Sequence, residues 1–396
     1  MFEKEILKKA KDINEQLIEI RRDIHAHPEI GLEEIRTSNL IADKLESLGI
    51  DTKRGVGKTG VVGLLKGKYE GKTILLRSDM DCLALEERNQ LQYKSENKGL
   101  MHACGHDAHV AWLIGAAEIL SEFKEELHGN IKFVFQPAEE ISQGARLMIE
   151  DGVLEDPKVD AAIGAHVWPY IESGKIGVKA GAIMAATDHF QLTIYGKGGH
   201  GAHPHKCIDP ILTATEIYMA FQTIISRRLN PLQPAVITVG KFNAGTAYNI
   251  IPDVAILEGT IRTISNETRS FIAVEMEKII KGITTANGTD YKFDYEQYHP
   301  PVVNEKNMST LVERAIVDMF GDETLLRVEE PAMTGEDFSY FQEQVPGVFF
   351  WVGIANKGCG SNVPLHASNF MVDEDVIHKA SALFAKCALD FLNKKY

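Results

Sequence analysis

The sequence predicts an α/β protein with a mostly parallel central sheet and a smaller ferredoxin-like α+β domain inserted into it. Two patterns carry this expectation. Short apolar runs alternate with helical stretches along most of the chain, as in the βα units of a parallel sheet. Near the middle, the order changes to βαββαβ, with strands of alternating polarity.

The first element is a helix. Ile6, Ala10, Ile13, Leu17, Ile20 and Ile24 recur at spacings of four and three and form one apolar stripe that ends near Pro28. A second helix runs from Thr37 to Leu48, with Gly49 as its C-terminal stop. The runs Val61–Leu65, Ile74–Leu76, Ile131–Phe135 and Ala161–Val167 read as strands. Helices from Ala108 to about Glu126 and from Gly144 to about Glu150 lie between them. A later strand covers Val348–Gly353.

In the middle, Phe190, Leu192 and Ile194 alternate with Gln191 and Thr193. A helix from Pro210 to about Arg227 follows, then strands at Ala235–Val239 and Val254–Leu257. A helix from Glu267 to Ile283 and a strand at Tyr291–Tyr295 complete the set. The expected division is 184–297 for the inserted domain, with 1–183 and 298–396 forming the larger one.

Lys and Arg number 42 and Asp and Glu 56, a net charge of −14, which argues against a nucleic-acid-binding surface. The five cysteines are scattered and odd in number, a poor disulfide framework that fits a reducing compartment. The first 20 residues are charged throughout, and no apolar run is long enough for a membrane span. The expectation is a cytoplasmic protein without membrane or nucleic-acid partners.

Chemistry concentrates in MHACGHDAH, Met101–His109, where three histidines, a cysteine and an aspartate share nine residues. Asp79 and Asp81 follow the strand ILL, Glu139 and Glu140 follow IKFVF, His166 ends AAIGAH, and His366 lies beyond VFFWVG. In open α/β sheets, ligands gather outside the carboxyl ends of the strands, so these positions can converge. Thiolate, imidazole and carboxylate together suit zinc or a similar transition metal. Each residue also has an ordinary reading. Cys104 can be a small buried hydrophobe, Asp79 a helix cap, and Glu139 or Glu140 first-turn acids. His102, Asp107 and His109 read as supporting or structural groups. GVGKTG, Gly55–Gly60, lacks the spacing of a phosphate loop.

RSDMDCLALEE, MHACGHDAH, FQPAEE, GAHVWP, GKGGHGAHPH, YNIIPD, GTIRT, TGEDFSYF and PLHAS occur in that order. With them, the chain closely resembles the metal-dependent N-acyl-amino-acid amidohydrolases of the aminoacylase–carboxypeptidase superfamily. These include hippurate hydrolases, auxin-conjugate hydrolases and N-acetyldiaminopimelate deacetylases. The resemblance runs from RRDIHAHPEIGLEE to the C-terminal helix.

It implies a zinc-peptidase-like catalytic domain holding two divalent metals, zinc or manganese, with cobalt or nickel as further candidates. Cys104, His106, Glu140, His166 and His366 would be the ligands, with Cys104 bridging. Glu139 would be the general base, and Asp81 would orient a ligand, with Asp79 as its neighbour. The inserted domain would be a lid and dimerisation domain. His200, Asn249 and Arg262 would contact the substrate, an N-acyl amino acid, in a homodimer or homotetramer. The ordinary alternative for Arg262 is a surface strand residue with a salt bridge. Cys82 and Ala84 replace the family's usual alanine and proline, and Ala367 and Ser368 its usual serine and proline; all four lie in loops beside the implied site. A dipeptidase or aminopeptidase on the same scaffold is the nearest rival. A non-catalytic metal protein and a redox protein using Cys104 are more distant ones.

Overall fold

The structure, a computed structural model, describes residues 2–393. The chain divides into two compact units. One takes the chain up to Gly181, Val303–Glu330, and everything from Asp337 onward. The other comprises Ala182–Val302 and Pro331–Glu336; nothing in the residue pattern had marked the latter segment off.

The first unit is built on an eight-stranded sheet. Its order is Asp51–Val56, Gly60–Lys66, His128–Gln136, Tyr69–Asp79, Ala161–Glu172, Gly347–Ala355, Ile176–Val178 and Leu325–Arg327. The four central strands, from His128–Gln136 to Gly347–Ala355, run parallel. Their apolar runs are buried almost without interruption, as expected for strands covered on both faces.

The helix His106–Ser121 is buried nearly all round and packs against Ile377–Leu392 and the strand Tyr69–Asp79. The expected first helix is two helices, Glu3–Asp12 and Asn14–Ala26, joined at Ile13. The apolar stripe continues across the joint, so periodicity alone does not reveal it. The helix Ile35–Ser47 ends in Gly49 at φ +72°, the left-handed stop that glycine permits.

Two local features were hidden in the sequence. Asp51–Val56 is a mostly exposed edge strand without apolar alternation, paired antiparallel with Gly60–Lys66. GVGKTG is the hairpin turn between them. Val56 pairs with Gly60, so Gly57, Lys58 and Thr59 form the loop, and Gly57 and Lys58 both have positive φ.

The second unit carries a four-stranded antiparallel sheet in the order Ala235–Ala244, Val254–Thr263, Ala186–Tyr195, Asp290–Gln297. Helices Pro210–Thr223 and Asn266–Asn287 complete the βαββαβ sequence of elements. Phe190, Leu192, Ile194, Ile217, Phe221, Leu257, Ile272 and Met276 form its core. Asp188 is buried there, where it accepts from Arg269 Nε at 2.7 Å and Tyr295 Oη at 2.6 Å. No helix among the described residues is long and apolar enough to cross a membrane.

Asp188→Ala would leave the buried Arg269 charge without its carboxylate. The expected cost is about 3–5 kcal/mol of stability, read from urea unfolding. A loss under about 1 kcal/mol would show that solvent or another group already compensates Arg269.

Candidate metal centre

Most of the chemistry-bearing residues follow the carboxyl ends of the central parallel strands, whereas His166 lies inside one. Asp79 ends Tyr69–Asp79, and Asp81 comes two residues later. Glu139 and Glu140 follow His128–Gln136 through Pro137 and Ala138. His166 lies within Ala161–Glu172, opposite Trp351 of Gly347–Ala355.

Cys104 and His106 flank Gly105, whose φ is +87°. That left-handed turn starts the helix His106–Ser121 and lets two residues separated by one face the same point. A Cβ at Gly105 would stand 2.5 Å from Val167 Cγ2, so space as well as conformation requires glycine. His366 also has positive φ, +62°, uncommon for a non-glycine residue. Its N–H donates to Ala103 O at 2.9 Å and ties this late loop to the residue before Cys104.

The side chains converge on Cys104. Its sulfur lies 3.3 Å from His166 Nε2 and 3.3 Å from His366 Nε2. His366 Nε2 is 3.6 Å from Glu140 Oε2, and His106 Nε2 is 3.9 Å from Glu140 Oε1. Ligand atoms of Cys104, His106 and His166 lie within 4.8 Å of one another, as do those of Cys104, Glu140 and His366. The groups share the thiol. His106, Glu139 and Glu140 form a further set of the same compactness.

The histidines are oriented for this. His106 Nδ1 bonds to Asp81 O at 2.9 Å and to Asp81 Oδ1 at 3.2 Å, so in the neutral ring Nε2 is the lone-pair nitrogen. His166 Nδ1 donates to Val167 O at 2.6 Å, so its Nε2 lone pair faces the sulfur. His109 is used differently. Its Nε2 accepts from Val167 N at 3.0 Å and its Nδ1 donates to Asp79 at 2.5 Å, so both nitrogens are engaged.

Electrostatics points the same way. Burial raises the Cys104 thiol well above its usual range, with Glu140, Glu139 and Asp79 adding to the effect. Burial also raises Glu140 to about 7, against the opposing pull of His106. Burial opposes charge on His106, but Asp79 and Asp81 raise it to about 10. His166 is held neutral, well below its usual value, by burial and by His109. A buried pocket this rich in acids favours a cation. Among the described residues, buried His106 Nε2 and Glu140 Oε1 have no hydrogen-bond partner. Such orphaned atoms are costly unless something binds them. The donor set fits divalent metal ions.

Residue reasoning missed a supporting layer. Fully buried Arg77 donates to Asp79 at 2.8 Å, Gln136 at 2.9 Å and Asp337 at 3.0 Å. A charged residue inside the run ILLRSD was its signal. Arg21 Nε lies 2.7 Å from Asp107, and His25 Nδ1 bonds the same carboxylate at 2.8 Å.

His200, Asn249 and Arg262 belong to the second unit. Exposed His200 pairs in register with Ile250, and Asn249 O accepts from Gly201 N at 2.9 Å. Arg262 is half-buried on Val254–Thr263. It bonds to Thr260 and to Ile261 O and, among the described residues, forms no ion pair, unlike the salt-bridged surface residue of the ordinary reading.

Residues 75–390 match peptidase family M20/M25/M40. N-acetyl-L-cysteine deacetylase of Bacillus subtilis is 41% identical over 383 residues, 96% of this chain and 89% of the relative. Thermostable carboxypeptidase 2 of Saccharolobus solfataricus is 40% identical over 389 residues, 97% of this chain and 98% of the relative. The solved Bacillus subtilis YXEP protein, described as a dinuclear metal binding peptidase from the M20 family, superposes with a TM-score of 0.85 at 36% identity. That match covers 97% of this chain and 99% of the other.

Asp81→Asn would disturb both the orientation and the basicity of His106. Affinity for zinc, read by competition with a chromophoric chelator, is expected to fall about 10–100-fold. Unchanged affinity would show that Asp81 does not act on a ligand.

Proposed function

The chain belongs to peptidase family M20/M25/M40 and is a metal-dependent amidohydrolase, and from that premise we propose that it hydrolyses N-acyl amino acids to a carboxylic acid and a free amino acid. N-acetyl and aromatic N-acyl groups are the favoured acyl classes. The observation that carries this reading is the sharing of Cys104 by two ligand groups beside the adjacent acids Glu139 and Glu140.

Cys104, His106, Glu140, His166 and His366 would hold two divalent cations, with Cys104 common to both. Thiolate and imidazole favour zinc; manganese, cobalt and nickel also suit such a donor set. Cations bound there supply Lewis acidity, lowering the pKa of a water and polarising an amide carbonyl.

The chain's own groups do the rest. Glu139 takes the proton from water as it attacks the carbonyl carbon, then passes it to the leaving nitrogen. The C–N bond breaks, and the water oxygen stays with the acyl group. Asp81 holds the His106 ring in one tautomer.

His200 would donate to the developing oxyanion, and Asn249 would meet the substrate's polar groups. The Arg262 guanidinium would pair with the free carboxylate of the amino acid, a role favoured by its forming no ion pair among the described residues. Residues 184–297 would act as a lid and dimerisation domain, in a homodimer or homotetramer.

Peptide cleavage on the same scaffold is the second reading, favoured by the match to a carboxypeptidase. It needs no change in the chemistry, only in the acyl side of the substrate.

The test is a panel of N-acetyl, N-benzoyl and dipeptide substrates assayed on metal-stripped protein restored with zinc, manganese, cobalt or nickel. N-acyl amino acids are expected to be cleaved fastest, and chelated protein to be inactive. Glu139→Gln should retain metal but lose about 10²–10⁴-fold in kcat. Faster cleavage of dipeptides would transfer the assignment to the peptidase reading. Full activity of Glu139→Gln would remove the base.

A further inference from the structure

The segment HPEIGLEE, His27–Glu34, carries acids that the chemistry above does not use. Two of them divide one task. Glu34 occupies the N-cap position of the helix Ile35–Ser47, yet its side chain makes no cap bond. Glu29 does the capping instead: it accepts from Arg36 N at 2.9 Å and from Thr37 N at 2.8 Å. The Glu34 carboxylate is thereby released to reach elsewhere.

It reaches the turn that bears the two catalytic-site acids. Glu34 is fully buried; its Oε1 accepts from Ala138 N at 2.9 Å and its Oε2 from the Thr59 hydroxyl at 2.5 Å. Ala138 immediately precedes Glu139 and has φ +52°, a conformation an alanine adopts only when its surroundings enforce it. Its carbonyl is pinned too, by Gln143 N and Gly144 N, each at 3.2 Å. Beyond Glu139, the Glu140 N–H donates to Asp81 Oδ2 at 3.0 Å. Glu139 therefore stands between two amides, those of Ala138 and Glu140, each held by a carboxylate. Gly31 belongs to the same device. A Cβ there would stand 3.0 Å from Ala138 Cα and 3.4 Å from Asp81 Oδ2.

We propose that Glu34 is a positioning residue for the hydrolytic site: by holding the Ala138 amide it fixes the strained turn that aims Glu139 at the reacting water and Glu140 at the metal ligand cluster. This rests on the roles given above to Glu139 and Glu140. It acts through hydrogen bonding to one backbone amide, so shape and acceptor capacity matter more than charge.

The test compares Glu34→Ala, Glu34→Asp and Glu34→Gln in the full chain loaded with zinc. Misaim of about 1 Å at a reacting group is enough for a large rate loss, so Glu34→Ala is expected to lower kcat about 10–100-fold with KM within about threefold. Zinc affinity, read by chelator competition without substrate, should fall about tenfold, as for loss of a group that orients a ligand. Glu34→Asp, shorter by one methylene, should move the same way and gives the answer if the alanine variant does not fold. Glu34→Gln can still accept from Ala138 N and donate to Thr59, so it should keep kcat within about threefold of the parent.

Wild-type kcat and zinc affinity in Glu34→Asp would overturn the proposal. So would a Glu34→Gln loss equal to that of Glu34→Asp, since that would assign the effect to charge. If the parent cleaves no N-acyl amino acid, the functional reading fails; the zinc arm still decides the positioning claim.

Discussion

The arrangement depends on negative charge gathered where water is scarce. Asp79, Asp81, Glu140 and the Cys104 thiol are buried or nearly so, within reach of three histidines. Arg77 compensates Asp79 and Asp337, and Arg21 compensates Asp107. Among the ion pairs of the described residues, Glu140 has only imidazole rings as cationic neighbours, His106 Nε2 at 3.9 Å and His366 Nε2 at 3.6 Å. Isolated buried ions are costly, so such a pocket is stable when it protonates or when it binds metal. The orphaned His106 Nε2 and Glu140 Oε1 favour metal.

The fold makes this convergence possible by bringing together loops that follow the parallel strands, the strand residue His166 and the first residue of a helix, His106. Three of the four parallel strands are followed by loops that carry residues of the cluster, and the fourth, Ala161–Glu172, carries His166 itself. The loops are then fixed by unusual backbone. Gly105, Ala138 and His366 all have positive φ, and each stands at or next to a residue of the cluster. For the non-glycine residues Ala138 and His366 this is strain, which persists only where surrounding contacts over-determine it. The Ala138 turn shows such contacts on both its N–H and its carbonyl.

Much of this was legible in the sequence because acids just past apolar runs mark strand ends. Asp79, Asp81, Glu139 and Glu140 stood out in that way, as did the Cys104–His106 pair beside its glycine. His366 was harder: it lies in a loop without periodicity, well beyond the strand VFFWVG that placed it, and the motif PLHAS added the firmer signal. Arg77, Asp337, Arg21 and His25 escaped notice because a buried charge reads like a surface one until its partner is known, and the partners are distant in sequence. The break at Ile13 and the edge strand Asp51–Val56 escaped for a related reason. Hydrophobic pattern reports what is buried, and neither feature changes what is buried.

The central claim is a thiolate shared between two cations. Anomalous diffraction from crystals of the zinc-loaded protein tests it most directly. The expected result is two zinc peaks about 3.5–4 Å apart, each about 2.3 Å from Cys104 Sγ. A single peak, or two peaks of which either lies beyond bonding distance of that sulfur, would contradict the account.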